Sequence, residues 1–370
     1  MDPIALSQAL MRTKSITPEE GGALDVLEAA LKPLGFTCHR QRFADVENLY
    51  ARKGTAAPNL CFAGHVDVVP PGDIAAWKHD PFEPTIEGNV LYGRGASDMK
   101  TAIAAWVVAA SRCATQGSLS LLITCDEEGV ATHGTKMMLE WLEKKGEKID
   151  ACIVGEPTNP NQLGEMIKIG RRGSVSFSLT VSGVQGHVAY PEKAANPITP
   201  LINLLQELKA TELDKGTEFF PPSNLEITSV DVGNPAGNVI PAKAEAKFNI
   251  RFNDVHTGAK LVEWVEKLAK KHLHSIYNLQ PSISAEAFFC PPKKVAPLVA
   301  DAVEKVTGKR PEYSTTGGTS DARFIRHYCT ELGECGLINE TAHKVNESAT
   351  LDDIRALTDI YEQVIKNYGV

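Results

Sequence analysis

No stretch of this 370-residue sequence is long and apolar enough to cross a membrane: the longest apolar run, Ala102 to Ala110, falls far short of the ~20 residues that a spanning helix requires. Met1 to Glu20 has neither the basic start nor the apolar core of a secretory leader, so neither export nor anchoring is expected, and the chain reads as cytoplasmic. Cysteine is scarce and scattered. Its eight residues, Cys38, Cys61, Cys113, Cys125, Cys152, Cys290, Cys329 and Cys335, include no C-x-x-C pair, which removes both a disulfide framework and a zinc ribbon. They are expected to be mostly buried free thiols. Basic runs are missing too, and the net charge of -8, from 46 acidic against 38 basic residues, provides no field for a phosphate backbone. Nucleic acid is therefore not an expected partner. Internal repeats and low-complexity tracts are also absent.

What remains is the composition of an ordinary globular protein, 43% hydrophobic and 23% charged, in a chain too long for one compact core. Two domains are expected. The first half alternates helical and strand patterns: Ala23 to Leu31 has helical spacing, Asn59 to Val69 reads as an apolar strand, and Lys100 to Arg112 is a helix apolar almost all round, hence buried. Leu119 to Cys125 and Ala151 to Val154 read as interior strands that end abruptly in carboxylates. At about Gly173 the pattern changes. Ser174 to Val184 alternates like a half-solvated strand. A helix (Pro197 to Leu208), two strands (Asn224 to Val232, Ala242 to Arg251), a helix (Gly258 to His272) and a strand near Pro281 to Ala287 follow. This β-α-β-β-α-β order is the ferredoxin-like arrangement. Helices at Lys294 to Val306 and Leu351 to Tyr368 return to the first domain. The fold class is α/β, a mixed-sheet domain over 1–173 and 289–370 with a ferredoxin-like α+β domain inserted over 174–288.

Five candidate metal ligands stand at strand ends or in Gly-rich loops: His65, Asp98, Glu128, Glu156 and His343. In an open α/β sheet, ligands gather outside the carboxyl ends of the strands. Alternation puts His65 and Asp67 on one side of their strand, so the Asp67 carboxylate can hold the imidazole. Asp98 lies between Gly93-Arg94-Gly95-Ala96-Ser97 and the buried helix and could bridge two ions. Charge counting supports a dinuclear site: two divalent cations bring four charges, three carboxylates and a hydroxide remove four, and the imidazoles stay neutral. Glu127 is adjacent to Glu128 and cannot point at the same ion. It is the natural general base for water. His39, His79, His133, His256, His272, His274 and His327 lack comparable company and are excluded; any one of the chosen motifs alone would more often be a strand-end hydrogen bond or a solvated turn.

The quoted residues, in Gly64-His65-Val66-Asp67, Gly95-Ala96-Ser97-Asp98-Met99-Lys100, Asp126-Glu127-Glu128-Gly129, Gly155-Glu156-Pro157-Thr158 and His343-Lys344-Val345-Asn346-Glu347, resemble the co-catalytic zinc metallopeptidase family that includes aminoacylases and acetylornithine deacetylase. The likeness spans essentially the whole chain. It implies an amide hydrolase with two Zn2+ per subunit, replaceable by Co2+, the same five ligands, Glu127 as base, and a homodimer formed through the inserted domain.

Gly170-Arg171-Arg172-Gly173-Ser174, Gly186-His187-Val188-Ala189-Tyr190-Pro191, Asn238-Val239-Ile240-Pro241, Asn249-Ile250-Arg251-Phe252 and Gly317-Gly318-Thr319-Ser320-Asp321 resemble the substrate-binding motifs of members that take a succinylated amino acid. The expected contacts are Arg171, Ser174, Tyr190, Asn238, Arg251, Gly318, Thr319, Ser320 and Asn339. A small-molecule N-succinyl substrate with several carboxylates needs such cationic and N–H donors, which only one of Arg171 and Arg172 need face. His187 is expected to act across the dimer as an oxyanion donor; the alternative is a core histidine. Another N-acyl amino acid or a dipeptide is the rival substrate. A non-enzymatic binding protein on the same fold is the rival class, against which Glu127 argues, since a binder has no use for a base.

Overall fold

The near-continuous apolar strands of the first half pair side by side, as strands buried on both faces do. A computed structural model describes residues 1–274 and 276–369. Its main sheet has eight strands in the order Thr37–Phe43, Val46–Lys53, Ser118–Thr124, Asn59–His65, Ala151–Val154, Leu332–Glu334, Met166–Lys168 and Glu312–Ser314. Asn59–His65 runs parallel to both neighbours, and Leu332–Glu334 extends that parallel block beside Ala151–Val154. Hairpin partners at the Thr37–Phe43 edge are antiparallel, so the sheet is mixed.

The helix expected at Lys100 forms over Lys100–Ser111 and is buried as far as Ala110. It packs on Pro3–Met11 and on Leu351–Tyr368. Trp106 packs against Phe62 from the central strand with ring centroids 5.5 Å apart, and Phe62 meets Tyr361 of the last helix at the same spacing. Thr350 caps that last helix by accepting the Asp353 N–H at 3.0 Å, and Asp352 and Asp353 in its first turn complement the dipole. Lys100 Nζ, at the N-terminal end of its helix, donates to Leu10 O, Thr13 O and Thr13 Oγ1, each at 3.0 Å, and so ties the first helix to the Asp98 loop. Seven of the eight cysteines are buried, Cys38 is partly so, and all eight are free thiols.

Contacts divide the chain into two units: Met1–Gly170 with Cys290–Ser314 and Ser320 onward, and Arg171–Phe289 with Thr315–Thr319. The second unit carries a four-stranded antiparallel sheet ordered Asn224–Asp231, Lys243–Phe252, Gly173–Ser182, Tyr277–Ala285. Helices Ile198–Ala210 and Gly258–His272 bury Leu201, Leu204, Leu208, Leu261 and Val265 against Val175, Phe177, Leu179, Phe248 and Ile250. Both connections give the β-α-β-β-α-β order read from the sequence. Residues 315–319 join this unit although they lie far along the chain: the Thr315 hydroxyl donates to Phe219 O at 2.6 Å.

Candidate metal centre and catalytic site

At and just beyond the ends of the parallel strands stand acids and a histidine. His65 closes the central strand, and Asp126, Glu127 and Glu128 follow Ser118–Thr124. Glu156 follows Ala151–Val154 by two residues. The close approach of these ends depends on glycine. A Cβ on Gly155 would stand 2.3 Å from Phe62, and one on Gly336 would stand 2.3 Å from the carbonyl oxygens of Gly155 and Glu156.

Asp98 lies at the middle of the cluster. Its Oδ1 is 3.2 Å from His65 Nε2 and its Oδ2 is 3.4 Å from His343 Nε2, one oxygen to each imidazole. Glu156 Oε1 is 3.6 Å from His65 Nε2, and Glu128 Oε1 is 2.7 Å from His343 Nε2. The donors fall into two pairs, His65 with Glu156 and His343 with Glu128, around a shared Asp98. Donor atoms of His65, Glu127 and Glu156, and of His65, Asp98 and Glu128, lie within 4.8 Å of one another. His65 is buried, whereas the His343 side chain is 51% exposed and its backbone is left-handed at φ 62°.

Asp67 differs from expectation in the atom it uses. The His65 Nδ1 hydrogen bond, 2.8 Å, goes to the Asp67 carbonyl, while the carboxylate stands 3.7 Å from that nitrogen. The buried carboxylate instead accepts the Glu127 N–H at 3.4 Å and the Glu128 N–H at 3.1 Å, so Asp67 fixes the ring through its main chain and the acidic turn through its side chain. Asp126, to which the sequence reading gave no part, accepts the N–H groups of Val130, Thr132 and His133 at 3.1, 2.8 and 3.0 Å and folds the other half of the same turn. An Asp followed by two Glu and a Gly was the available signal for such a turn.

These neighbours set the protonation. Burial opposes charge on His65, yet the hydrogen bond to Asp98 and the Glu156, Asp67 and Glu127 carboxylates hold its pKa well above the ordinary value. Hydrogen bonds to Asp98 and Glu128 raise His343 to about 10 against the effect of burial. Burial alone would raise Asp98, but the two imidazoles hold it well below the usual carboxylate range. Desolvation pushes Glu127 well above its ordinary value, with Asp321, Glu128 and Asp98 adding to it and His65 opposing. Asp67 is raised by burial to about 6.

This donor set fits divalent cations. With Nδ1–H given to a carbonyl, neutral His65 turns its Nε2 lone pair towards two carboxylate oxygens, a contact between acceptors that only a proton or a metal ion can make favourable.

The remaining candidates divide by unit. In the first, the buried Ser320 hydroxyl is engaged by Glu334 at 2.8 Å, and Asn339 is exposed, its N–H held by Asn159 O at 2.8 Å. In the second, the buried Arg171 guanidinium donates to Gly318 O at 3.0 Å, beside the partly exposed Thr319. Ser174 is buried and accepts from Asn249 at 3.1 Å, Arg251 is partly exposed, and Arg172 donates to Asn224 at 2.8 Å. His187, Tyr190 and Asn238 are exposed. His187 is thus no core histidine in this chain; its Nδ1 accepts the Ala189 N–H at 3.0 Å, which puts the proton of the neutral ring on Nε2.

Residues 61–367 match the family described as Peptidase family M20/M25/M40. The chain belongs to this peptidase family. A Parvibaculum lavamentivorans protein named succinyl-diaminopimelate desuccinylase is 53% identical, over 99% of this chain and 95% of that one. A Maricaulis maris protein of the same name is 54% identical over 99% and 96%. Among solved structures, an M20 family metallo-carboxypeptidase from Sulfolobus solfataricus shares the fold, with a TM-score of 0.80, 19% identity and complete coverage of both chains. The chain is accordingly a hydrolase of this family on a mixed α/β fold, and the family match together with the donor cluster supports a metal cofactor.

The raised proton affinity of the imidazoles generates a pH prediction. A metal ion requires neutral imidazole, so filling the metal-free protein at pH 8 should release protons, and fewer after His343→Ala. Because the His343 pKa is raised to about 10, its share of this release persists through neutral pH and vanishes as pH rises past that value; apparent affinity climbs until then. Calorimetric titration in buffers of different ionisation enthalpy reads the count, and heats independent of buffer would refute the protonated state.

Proposed function

We propose that this chain is a dizinc amide hydrolase that converts N-succinyl-LL-2,6-diaminopimelate to succinate and LL-2,6-diaminopimelate in the cytoplasm, in bacterial diaminopimelate and lysine biosynthesis. The carrying observation for the chemistry is Asp98 placed with one oxygen towards each imidazole, each imidazole having its own terminal carboxylate. The substrate follows from relatives named for that reaction at 53–54% identity over nearly the full length of both chains.

His65, Glu156 and Asp98 would hold one ion and Asp98, Glu128 and His343 the other, Co2+ being able to replace Zn2+. Bound divalent ions would supply Lewis acidity, which polarises the amide carbonyl and acidifies water. Glu127 is left to take the proton of the attacking water and hand it to the leaving nitrogen, and its raised proton affinity suits both steps. Asp67 keeps it in place through the turn N–H groups. Arg171, Arg251, Ser174, Tyr190, Asn238, Asn339 and the loop Gly318, Thr319 and Ser320 would receive the substrate's carboxylates and orient its chain. The unit built on the ferredoxin-like sheet, taken as residues 174–288 of a domain inserted between 1–173 and 289–370, would serve as lid and as the homodimer contact. His187 of the partner subunit would then donate its Nε2–H to the developing oxyanion.

Glu127→Gln should keep its metal and lose ~10²- to 10⁴-fold in turnover, since the amide keeps the shape but not the base. Glu128→Gln should weaken occupancy, so zinc titration of the two variants separates their parts; equal affinities would overturn the assignment. Mixing inactive His187→Ala with inactive Glu127→Ala should recover some activity, because a mixed dimer can hold one complete site. No recovery after verified subunit exchange would exclude donation across the dimer.

Substrate choice is tested with zinc-loaded protein against N-succinyl-LL-2,6-diaminopimelate, N-acetylornithine and a neutral dipeptide. A site built around carboxylates leaves its donors desolvated and unpaired when one is missing, so kcat/KM should favour the succinylated substrate by well over ~10²-fold. Replacing Arg251 should shrink that preference, partly through kcat. Equal cleavage of acetylornithine would leave the dizinc hydrolase and remove the desuccinylase.

A further inference from the structure

One buried acid outside the donor set gathers the Asp98 loop. Glu347 lies four residues beyond His343; its side chain is 1% exposed. Its Oε1 accepts the N–H groups of Ser97 and Asp98 at 2.8 and 2.9 Å, and its Oε2 accepts the Gly95 N–H at 2.9 Å and the Arg94 guanidinium at 2.8 Å. Each oxygen thus receives two donors, which satisfies the carboxylate completely. Main chain adds to this: Gly93 N–H donates to Glu347 O at 2.9 Å, and Arg94 reaches Lys344 O at 3.3 Å.

Three loop amides converging on one carboxylate leave the Asp98 backbone little freedom. The same residue belongs to the segment that carries His343, whose course is fixed by left-handed backbone at His343 and Asn346 and by the Asn346 Oδ1 that accepts the Lys78 N–H at 2.6 Å. Two loops almost 250 residues apart in sequence, Asp98 to Glu347, are therefore joined through this side chain, with main-chain bonds beside it. Across this junction Asp98 Oδ2 stands 3.4 Å from His343 Nε2.

We propose that Glu347 is a positioning residue that sets the separation and aim of Asp98 and His343, and thereby the affinity of the centre for divalent metal. The proposal rests on the reading of those two residues as metal ligands. Outer partners of metal ligands typically govern ~10- to 100-fold of affinity.

The test uses Co2+ binding to the metal-free full chain, followed by visible absorption and by competition with a chelator. Glu347→Gln replaces one acceptor oxygen by an N–H donor that must face two other donors, and should weaken Co2+ binding at least ~10-fold. Glu347→Asp keeps the charge beside Arg94 but shortens the reach by one methylene; it should also weaken binding and shift the cobalt ligand-field bands. A residue of structural importance alone would lower the unfolding temperature of the metal-free protein and leave Co2+ affinity and spectrum unchanged in the folded variant. That result in Glu347→Asp overturns the proposal. Failure of the unaltered protein to bind Co2+ would instead remove the metal-centre reading itself, and this proposal with it.

Discussion

Five carboxylates, Asp67, Asp98, Glu127, Glu128 and Glu156, share the carboxyl ends of neighbouring strands with two imidazoles, and their mutual repulsion is the constraint that orders the surrounding structure. Unit charges of like sign ~4 Å apart repel by about 4 kcal/mol in a medium of effective dielectric ~20. Left free, the acidic turn after Ser118–Thr124 would swing towards water. It does not, because Asp67 and Asp126 accept five of its N–H groups between them, and because Gly155 and Gly336 let the Glu156 strand end approach without a Cβ in the way. The arrangement is tolerable only with positive charge among the acids. The raised proton affinity of His65 and His343 answers this need in the metal-free chain, and the same nitrogen lone pairs, once free of protons, suit a cation.

Much of this was legible in the sequence, for a physical reason. Strands buried on both faces read as unbroken apolar runs, so their abrupt ends at Asp126 and Glu156 announce a polar site at the edge of the parallel block. The helices Ala23–Leu31, Gly258–His272 and Leu351–Tyr368 form over the ranges their periodicity predicts. Period alone settles such segments because their buried stripe is complete. The polar hairpin Thr37–Phe43 and Val46–Lys53 has no such signature, since an edge with one half-exposed strand shows little hydrophobic alternation.

What the sequence could not convey is which atom meets which. Alternation placed Asp67 on the side of His65 but could not tell a carbonyl from a carboxylate. The grouping of Glu156 with His65 and of Glu128 with His343 joins residues 91 and 215 positions apart and has no local signature. Glu347 stood inside a motif already singled out, yet nothing in its neighbours shows that four donors from residues 94–98 would converge on it. Similarly, Thr315–Thr319 packs with the unit from which it is separated in sequence, through contacts such as that of Thr315 with Phe219.

The two ends of Asp98 are not equivalent, and this bears on the setting of Glu127, the proposed base. His65 is almost fully buried, so burial is the largest influence on it and opposes its proton, whereas the half-exposed His343 owes its raised pKa first to its hydrogen bonds. Compensation of negative charge by protons is therefore cheaper at the His343 end. Glu127 groups with His65 and Glu156, at the end where solvent helps least. There desolvation and three neighbouring carboxylates raise its affinity for a proton, while a cation nearby would lower that affinity again. A carboxylate placed between those opposing influences would suit the proposed role of base, accepting a proton from water and releasing it again, which an ordinary exposed glutamate, too weak a base at neutral pH, does poorly.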